Sequence, residues 1–256
     1  MHTFEEPGVY TVTLTITDED GGTGCATLPV SVDRNSKDPV VKFGFADGDY
    51  PKVTLHGGKV TRSPDGSYDL GSGKPFTWIK VGERPIGELD AARSFTIAGW
   101  LKASGMKVGS GGNRVLFSLQ HNHAGIDLVH HADGAMRLAV NEWPDKVRND
   151  SSPGQIRAKQ WTFFAVTYDA TGRAQNVRWY FGGAGKQARL DRTTSYFRGP
   201  TGAGSGALTI GNYNETIHRH GLDRQFRGRI RGLMIFGSRA TARGALSAAQ
   251  IRKYQK

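Results

Sequence analysis

Arg227, Arg229 and Arg231 alternate with Gly228 and Ile230 in the stretch QFRGRIRGLMIF. In an extended strand alternate side chains share a face, so the three guanidinium groups line one side while Phe226, Ile230 and Met234 point to the other. Such a row needs water, neighbouring acids or an anionic ligand, and arginine engages carboxylates and sulfates bidentately. Two loops add candidates. VNEWPDKVRNDSSPG presents Trp143 among charged residues, with Arg148 close by, and an indole on a polar loop is a platform for a sugar ring. GNYNETIHRHGLDRQF carries Tyr213 and Arg219, an aromatic and a cation. Ring stacking combined with positive charge is the chemistry of an acidic carbohydrate site.

Catalysis has less to stand on. Glu88 and Asp90 in GELDAAR lack the third acid of a Glu-x-Asp-x-x-Glu strand, and there is no Gly-x-Ser-x-Gly. The chain is therefore read as noncatalytic, although the Arg, His and Tyr that a polysaccharide lyase needs are all present. The paired histidines (His121 and His123, His130 and His131, His218 and His220) come without a cysteine cluster or an HExxH, so they do not spell a zinc site. When protonated they would strengthen a positive field.

The elements that must position these residues are strands. The chain has 256 residues, 35 of them glycine, and apolar runs recur at short intervals: SFTIAGWLKA, RVLFSLQ, IDLVHH, MRLAVNEW, QWTFFAVTYD, VRWYFGG and ALTIGN. Turn-forming stretches such as HADG, DATG and GAGSG separate them, a pattern of an all-β, antiparallel sandwich. Only LSAAQIRKYQ reads as helix, with Ser247 and Gln250 at capping-box spacing.

Charge divides the chain. Residues 1–39 hold seven acidic and two basic side chains, a formal −5, so the remainder carries +16 against a total of +11. That asymmetry suggests two units and gives the larger one a field favouring anions. No run approaches the ~18 apolar residues of a membrane span. One cysteine, Cys25, precludes an internal disulfide. MHTFEEPGVY is acidic and has no apolar signal core, so the signal of an exported protein is expected upstream of it.

HTF…PGVYTVTLTITDEDGGT…VSV resembles the C-terminal half of a PKD (polycystic kidney disease) domain, an Ig-like sandwich, which makes residues 1–33 a partial PKD-like β-hairpin. DRNSKDP then reads as a linker over 34–39. From residue 40 to 256, SFTIAGWLKA, QWTFFAVTYDATG with WYFGG, LTIGN and FRGRIRGLMIF…ALSAAQIRKY occur in the order of the laminin-G-like jelly roll of the concanavalin A-like lectin/glucanase superfamily, which the chain resembles. The resemblance implies a concanavalin A-like jelly roll and an extracellular or cell-surface location. It also implies calcium as the one candidate cofactor, with Asp47 and Asp49 in ADGDY and Asp69 in SYDLGSG as hard-oxygen ligands. Where relatives close with Phe-x-Gly-x-Ile-Asp-Glu/Asp, this chain has Arg231 and Gly232, which counts against calcium.

These readings converge on a lectin-like module of a larger protein, with an acidic polysaccharide and neighbouring domains as partners. The alternative is an adhesion or structural module without a sugar site. Nucleic acid ranks third, because the basic charge comes with no nucleic-acid-binding motif.

Overall fold

The computed structural model describes residues 4, 8–32, 38–58, 60–71, 76–82, 86–109, 112–118, 124–141, 149–202, 208–213 and 224–255. The first strands, β1 (Gly8–Thr17) and β2 (Thr23–Val32), pair antiparallel. Their turn is held by Asp18, whose carboxylate accepts hydrogen bonds from the amides of Asp20 (3.1 Å) and Gly22 (2.6 Å). Register sets Val12 opposite Leu28 and Leu14 opposite Ala26. The alternation predicts a half-buried strand, but Val12, Leu14, Ile16 and Leu28 are 40%, 60%, 64% and 63% exposed. A two-stranded ribbon has no second layer with which to cover an apolar face.

From Val41 onward the chain builds two antiparallel sheets. Its strands are β3 (Val41–Phe43), β4 (Val53–His56), β5 (Thr61–Arg62), β6 (Tyr68–Asp69), β7 (Trp78–Val81), β8 (Ser94–Ala103), β9 (Asn113–Phe117) and β10 (Ile126–His130). They continue as β11 (Met136–Val140), β12 (Thr162–Asp169), β13 (Val177–Gly183), β14 (Lys186–Thr194), β15 (Leu208–Ile210) and β16 (Gly228–Ser238), and a helix, α1 (Ala248–Tyr254), follows. One sheet has the order β11–β10–β9–β15–β7–β4. The other runs β14–β13–β12–β8–β16–β6–β5, with β3 also paired to β16. Ile97, Leu101, Phe164, Val166 and Trp179 meet Ile79, Val115, Leu128, Leu138 and Ile210 in the core between them. The all-β sandwich with a short C-terminal helix is the architecture the strand spacing predicts.

The eight-stranded sheet is buried on both faces at its centre, which is why SFTIAGWLKA is almost continuously apolar. Phe95, Ile97 and Leu101 enter the core. Ala98 and Trp100 face outward with Phe163, Ala165, Met234 and Phe236, beneath Leu246 and Ile251 of the C-terminal segment. The helix is started by the expected capping box: the Gln250 amide donates to the Ser247 hydroxyl while the Ser247 amide donates to the Gln250 side chain.

One irregularity changes how the arginine strand faces. Arg231 pairs with Trp100, but Met234 pairs with Ala98, so β16 carries one residue more than β8 over this interval, a β-bulge. Leu233 therefore turns into the core, and Met234 turns outward instead of sharing a face with Ile230. The bulge rests on Gly99, where a β-carbon would lie 2.8 Å from the Leu233 α-carbon. Gly99→Val is expected to lower stability by roughly 1–3 kcal/mol through overpacking. A fall in the urea midpoint at unchanged slope is the measurement that checks it.

Candidate ligand-binding site

The register places Lys102 opposite Arg229 and Trp100 opposite Arg231 on the outward face of the eight-stranded sheet. Trp161, immediately before β12, belongs to the same face because Thr162 pairs with Leu101. The Arg231 guanidinium lies 4.6 Å from the ring centre of Trp161 and 5.6 Å from that of Trp100. Its Nη1 is 3.4 Å from Asp65 Oδ2. Hydrogen bonds from the Ser67 hydroxyl and amide, assisted by the Arg231 and Arg229 charges, hold the Asp65 carboxyl below its ordinary value against some desolvation.

The arginine row is not three equal charges. Arg229 donates to the Ser63 hydroxyl and stands 3.8 Å from Asp69, whereas Arg227 is half-buried with no carboxylate contact among the described residues. The ion pairs of Arg229 and Arg231 are over a third exposed and stabilise the fold little; they orient the side chains.

Beside Trp161 the sheet ends in a groove of about 910 Å³. Its walls are the segment leading into β12, the β13–β14 turn and α1. Arg157, Lys186, Arg189 and Arg252 line it together with Trp161 and Gln155, and among the described residues no carboxylate does. The turn is fastened by Gln255, whose Nε2 donates to the carbonyls of Lys186 (2.6 Å) and Gly183 (3.3 Å). Its Oε1 accepts from the Ala188 amide. None of the four cations was singled out by sequence. They come from three separate segments; Arg252 lay in the stretch read as helix and Trp161 in the strand-like run QWTFFAVTYD.

A second recess, about 410 Å³, opens between Lys102, Lys159 and Arg229, with Asp69 and Ser104 in its wall. Lys159, in a left-handed conformation (φ 62°), donates its amide to the Ala103 carbonyl at 2.7 Å and so turns the chain between the two openings.

The other expected residues fare differently. Trp143, Arg148 and Arg219 lie outside the described residues. Tyr213 is 3% exposed, edge-on to Phe117 and 4.5 Å beneath the guanidinium of Arg114, which itself forms a 3.1 Å ion pair with buried Asp127. Read as a loop aromatic for a sugar, Tyr213 is instead a packing residue on the six-stranded sheet.

The calcium residues do not converge. Asp47 pairs with Lys42, Asp49 accepts from the Gly44 amide and the Tyr68 hydroxyl, and Asp69 faces Arg229. No group of three His, Cys, Asp or Glu among the described residues fits a metal ion. With carboxylates already hydrogen-bonded or paired to cations, the donor set does not suit a cation that takes about six to eight oxygens.

His130 does not enlarge the positive field at neutral pH. Burial, reinforced by the neighbouring His131 charge, lowers its pKa to about 4, and burial lowers His131 also. The His130 ring packs edge-on to core Phe226.

The family described as concanavalin A-like lectin/glucanases matches residues 75–252. The chain belongs to the concanavalin A-like lectin/glucanase superfamily. A PKD domain matches residues 1–32. No curated sequence matches the chain. Among solved structures it is similar to the receptor-binding domain of botulinum neurotoxin mosaic serotype C/D, solved with tetraethylene glycol and sulfate bound, at 14% identity and TM-score 0.57 over 86% of this chain and 51% of that one. A botulinum neurotoxin type C structure, of a toxin whose cell entry depends on two ganglioside molecules, aligns at 16% identity and TM-score 0.56 over 86% of this chain and 52% of the other. The binding domain of botulinum neurotoxin DC in complex with SialylT aligns at 17% and 0.55, over 86% and 51%. The chain thus spans about half the length of these structures, and at such identities the likeness is one of fold: a lectin-like sandwich.

The buried histidine gives this superfamily member a pH dependence of determined sign. With the folded pKa near 4 and the unfolded value at 6.5, the unfolded chain takes up the proton first as pH falls. Stability should therefore decline from about pH 6.5 to about pH 4, by about 3 kcal/mol in total, and then level off. His130→Gln should flatten that part of the slope in urea unfolding between pH 7 and pH 4.

Proposed function

We propose that the chain is a noncatalytic carbohydrate-binding module of a larger exported protein, and that its ligand is an acidic polysaccharide. The observation that carries this reading is the groove beside Trp161, where four cations meet and no carboxylate among the described residues enters the lining. Oxyanions on a sugar chain would supply the missing counter-charge, and guanidinium groups offer them paired N–H donors. Trp161 gives the wall an apolar surface, with Arg231 fixed against its ring. The arginine row contributes through Arg231, at the groove's rim, rather than as the floor of the site.

The lyase reading loses support from the same geometry. Arg114 and Tyr213 do meet, but each is 3% exposed, and His130 turns to Phe226 instead of joining them. Protein adhesion is the second reading and is favoured by a separate observation, the open apolar side of the hairpin at Val12, Leu14, Ile16 and Leu28. An extracellular or cell-surface setting suits both readings. No helix among the described residues is long and apolar enough to cross a membrane.

Affinity electrophoresis in alginate, pectic galacturonan, a sulfated galactan and a neutral glucan tests the proposal. One acidic polymer should retard the protein saturably at moderate salt. The double reversal Lys186→Glu with Arg189→Glu, at exposed positions of the turn, should weaken that retardation at least tenfold with an unchanged melting temperature. Retardation by every polyanion that vanishes with modest salt, or retardation indifferent to the reversal, would reject the groove. Trp161→Ala should weaken binding at any salt concentration; because Trp161 also packs on the outer cluster, its melting curve must be read beside it.

A further inference from the structure

The groove and the second recess share a wall. The segment from Arg157 to Trp161 sends Arg157, Gln160 and Trp161 into the groove and Lys159 into the recess. The left-handed turn at Lys159, tied by its amide to Ala103, is what divides the side chains between the two openings. Arg231, lying over Trp161, is two residues along β16 from Arg229 in the recess. Cations therefore stand on both sides of this segment, Lys102, Lys159 and Arg229 in the recess and Arg157, Arg252, Lys186 and Arg189 in the groove. The carboxylates along this path, Asp65 and Asp69, lie beside Arg231 and Arg229.

The sheet order sets the length of the path. Arg229 on β16 and Lys186 on β14 lie at the same end of the sheet, four strand spacings apart, which at about 4.8 Å each makes about 19 Å. A single terminal sugar occupies one end of such a path and leaves the other cations unengaged. As lined by the described residues, both openings are open clefts and not enclosed pockets of the kind that holds a terminal residue.

We infer that the two openings are one lane, and that it takes the interior of a linear polysaccharide whose acidic groups recur along the chain, with Lys159 at the saddle between two charge-binding subsites. The inference rests on the proposed glycan-binding role of the groove. Its physical content is coupling: once one acidic sugar sits in the groove, the next charges of the same chain are held near the recess at high effective concentration, so affinity grows with length beyond the reach of one subsite. Two unconnected sites would show no such growth.

The experiment is titration calorimetry with size-fractionated oligomers of two to twelve sugars cut from alginate, galacturonan and the sulfated galactan. For one series, affinity should rise about tenfold to hundredfold from dimer to the longest oligomer. Lys102→Ala with Lys159→Ala should remove most of that rise and leave dimer affinity unchanged within twofold. The double reversal at Lys186 and Arg189 should weaken oligomers of every length. If dimer and dodecamer bind within twofold of each other, and the groove reversal still abolishes binding, the lane is wrong and the glycan-binding groove stands. If affinity rises with length but is indifferent to Lys102 and Lys159, the longer chain runs elsewhere and the lane is again wrong. If no oligomer binds in any series, the lane and the reading beneath it fall together.

Discussion

The contact between Leu233 and the backbone of Gly99 is the constraint on which the outer face depends. β8 and β16 are the central pair of the eight-stranded sheet, and neither can have its side chains reassigned without emptying one core and crowding the other. The extra residue at Gly232–Leu233 reverses the facing of all that follows on β16. Before it, Arg229 and Arg231 face outward and Ile230 inward; after it, Met234 and Phe236 take the outward positions and are covered by the C-terminal segment. A strand without the bulge would put Met234 and Phe236 into the sandwich and leave the outer cluster without two of its members. The bulge thus separates a polar half of the outer face from an apolar half that seats Leu246 and Ile251.

Indole and guanidinium exploit that border. Trp100 and Trp161 stand where the apolar cluster gives way to the cations, and the Arg231 guanidinium lies 5.6 Å and 4.6 Å from their ring centres. Arginine suits this position because its planar, weakly hydrated head stacks while its edge keeps N–H donors for an acceptor. Asp65 takes part of that capacity. A surface ion pair of this kind contributes little to stability but narrows the orientations of the guanidinium, so less rotamer freedom is lost when a ligand oxyanion replaces water at the same edge.

Much of the fold was legible because strand periodicity and turn chemistry are local. The strand-like runs, SFTIAGWLKA among them, and the Ser247 capping box follow from residues a few positions apart. The bulge was not legible, since it depends on Gly99 lying opposite Leu233, more than a hundred residues away. The exposed hairpin face was misread for a related reason: alternation tells which side is apolar but not whether anything covers it. The site was legible only at Arg231. Arg157, Lys186, Arg189 and Arg252 carry no shared pattern, and the topology alone brings them to one groove. Tyr213 failed in the opposite sense, because its polar neighbours suggested a surface loop while Phe117 and Arg114 enclose its ring.

The distribution of charge adds a last step. Basic clusters among the described residues differ in what answers them. Around Arg114 and Arg137 each guanidinium is matched by a buried or half-buried carboxylate, Asp127 at 3.1 Å and Asp150 at 2.6 Å, and the pairs are locked into the six-stranded sheet. Charges so paired are structural, because breaking either would leave an ion uncompensated in a poorly hydrated place. At the groove the cations are instead carried by the edge strand β14, a connecting segment and a helix, all on the surface, where water screens them at no cost to the fold. Water suffices to stabilise those cations in the free protein, so the fold does not depend on answering them with carboxylates.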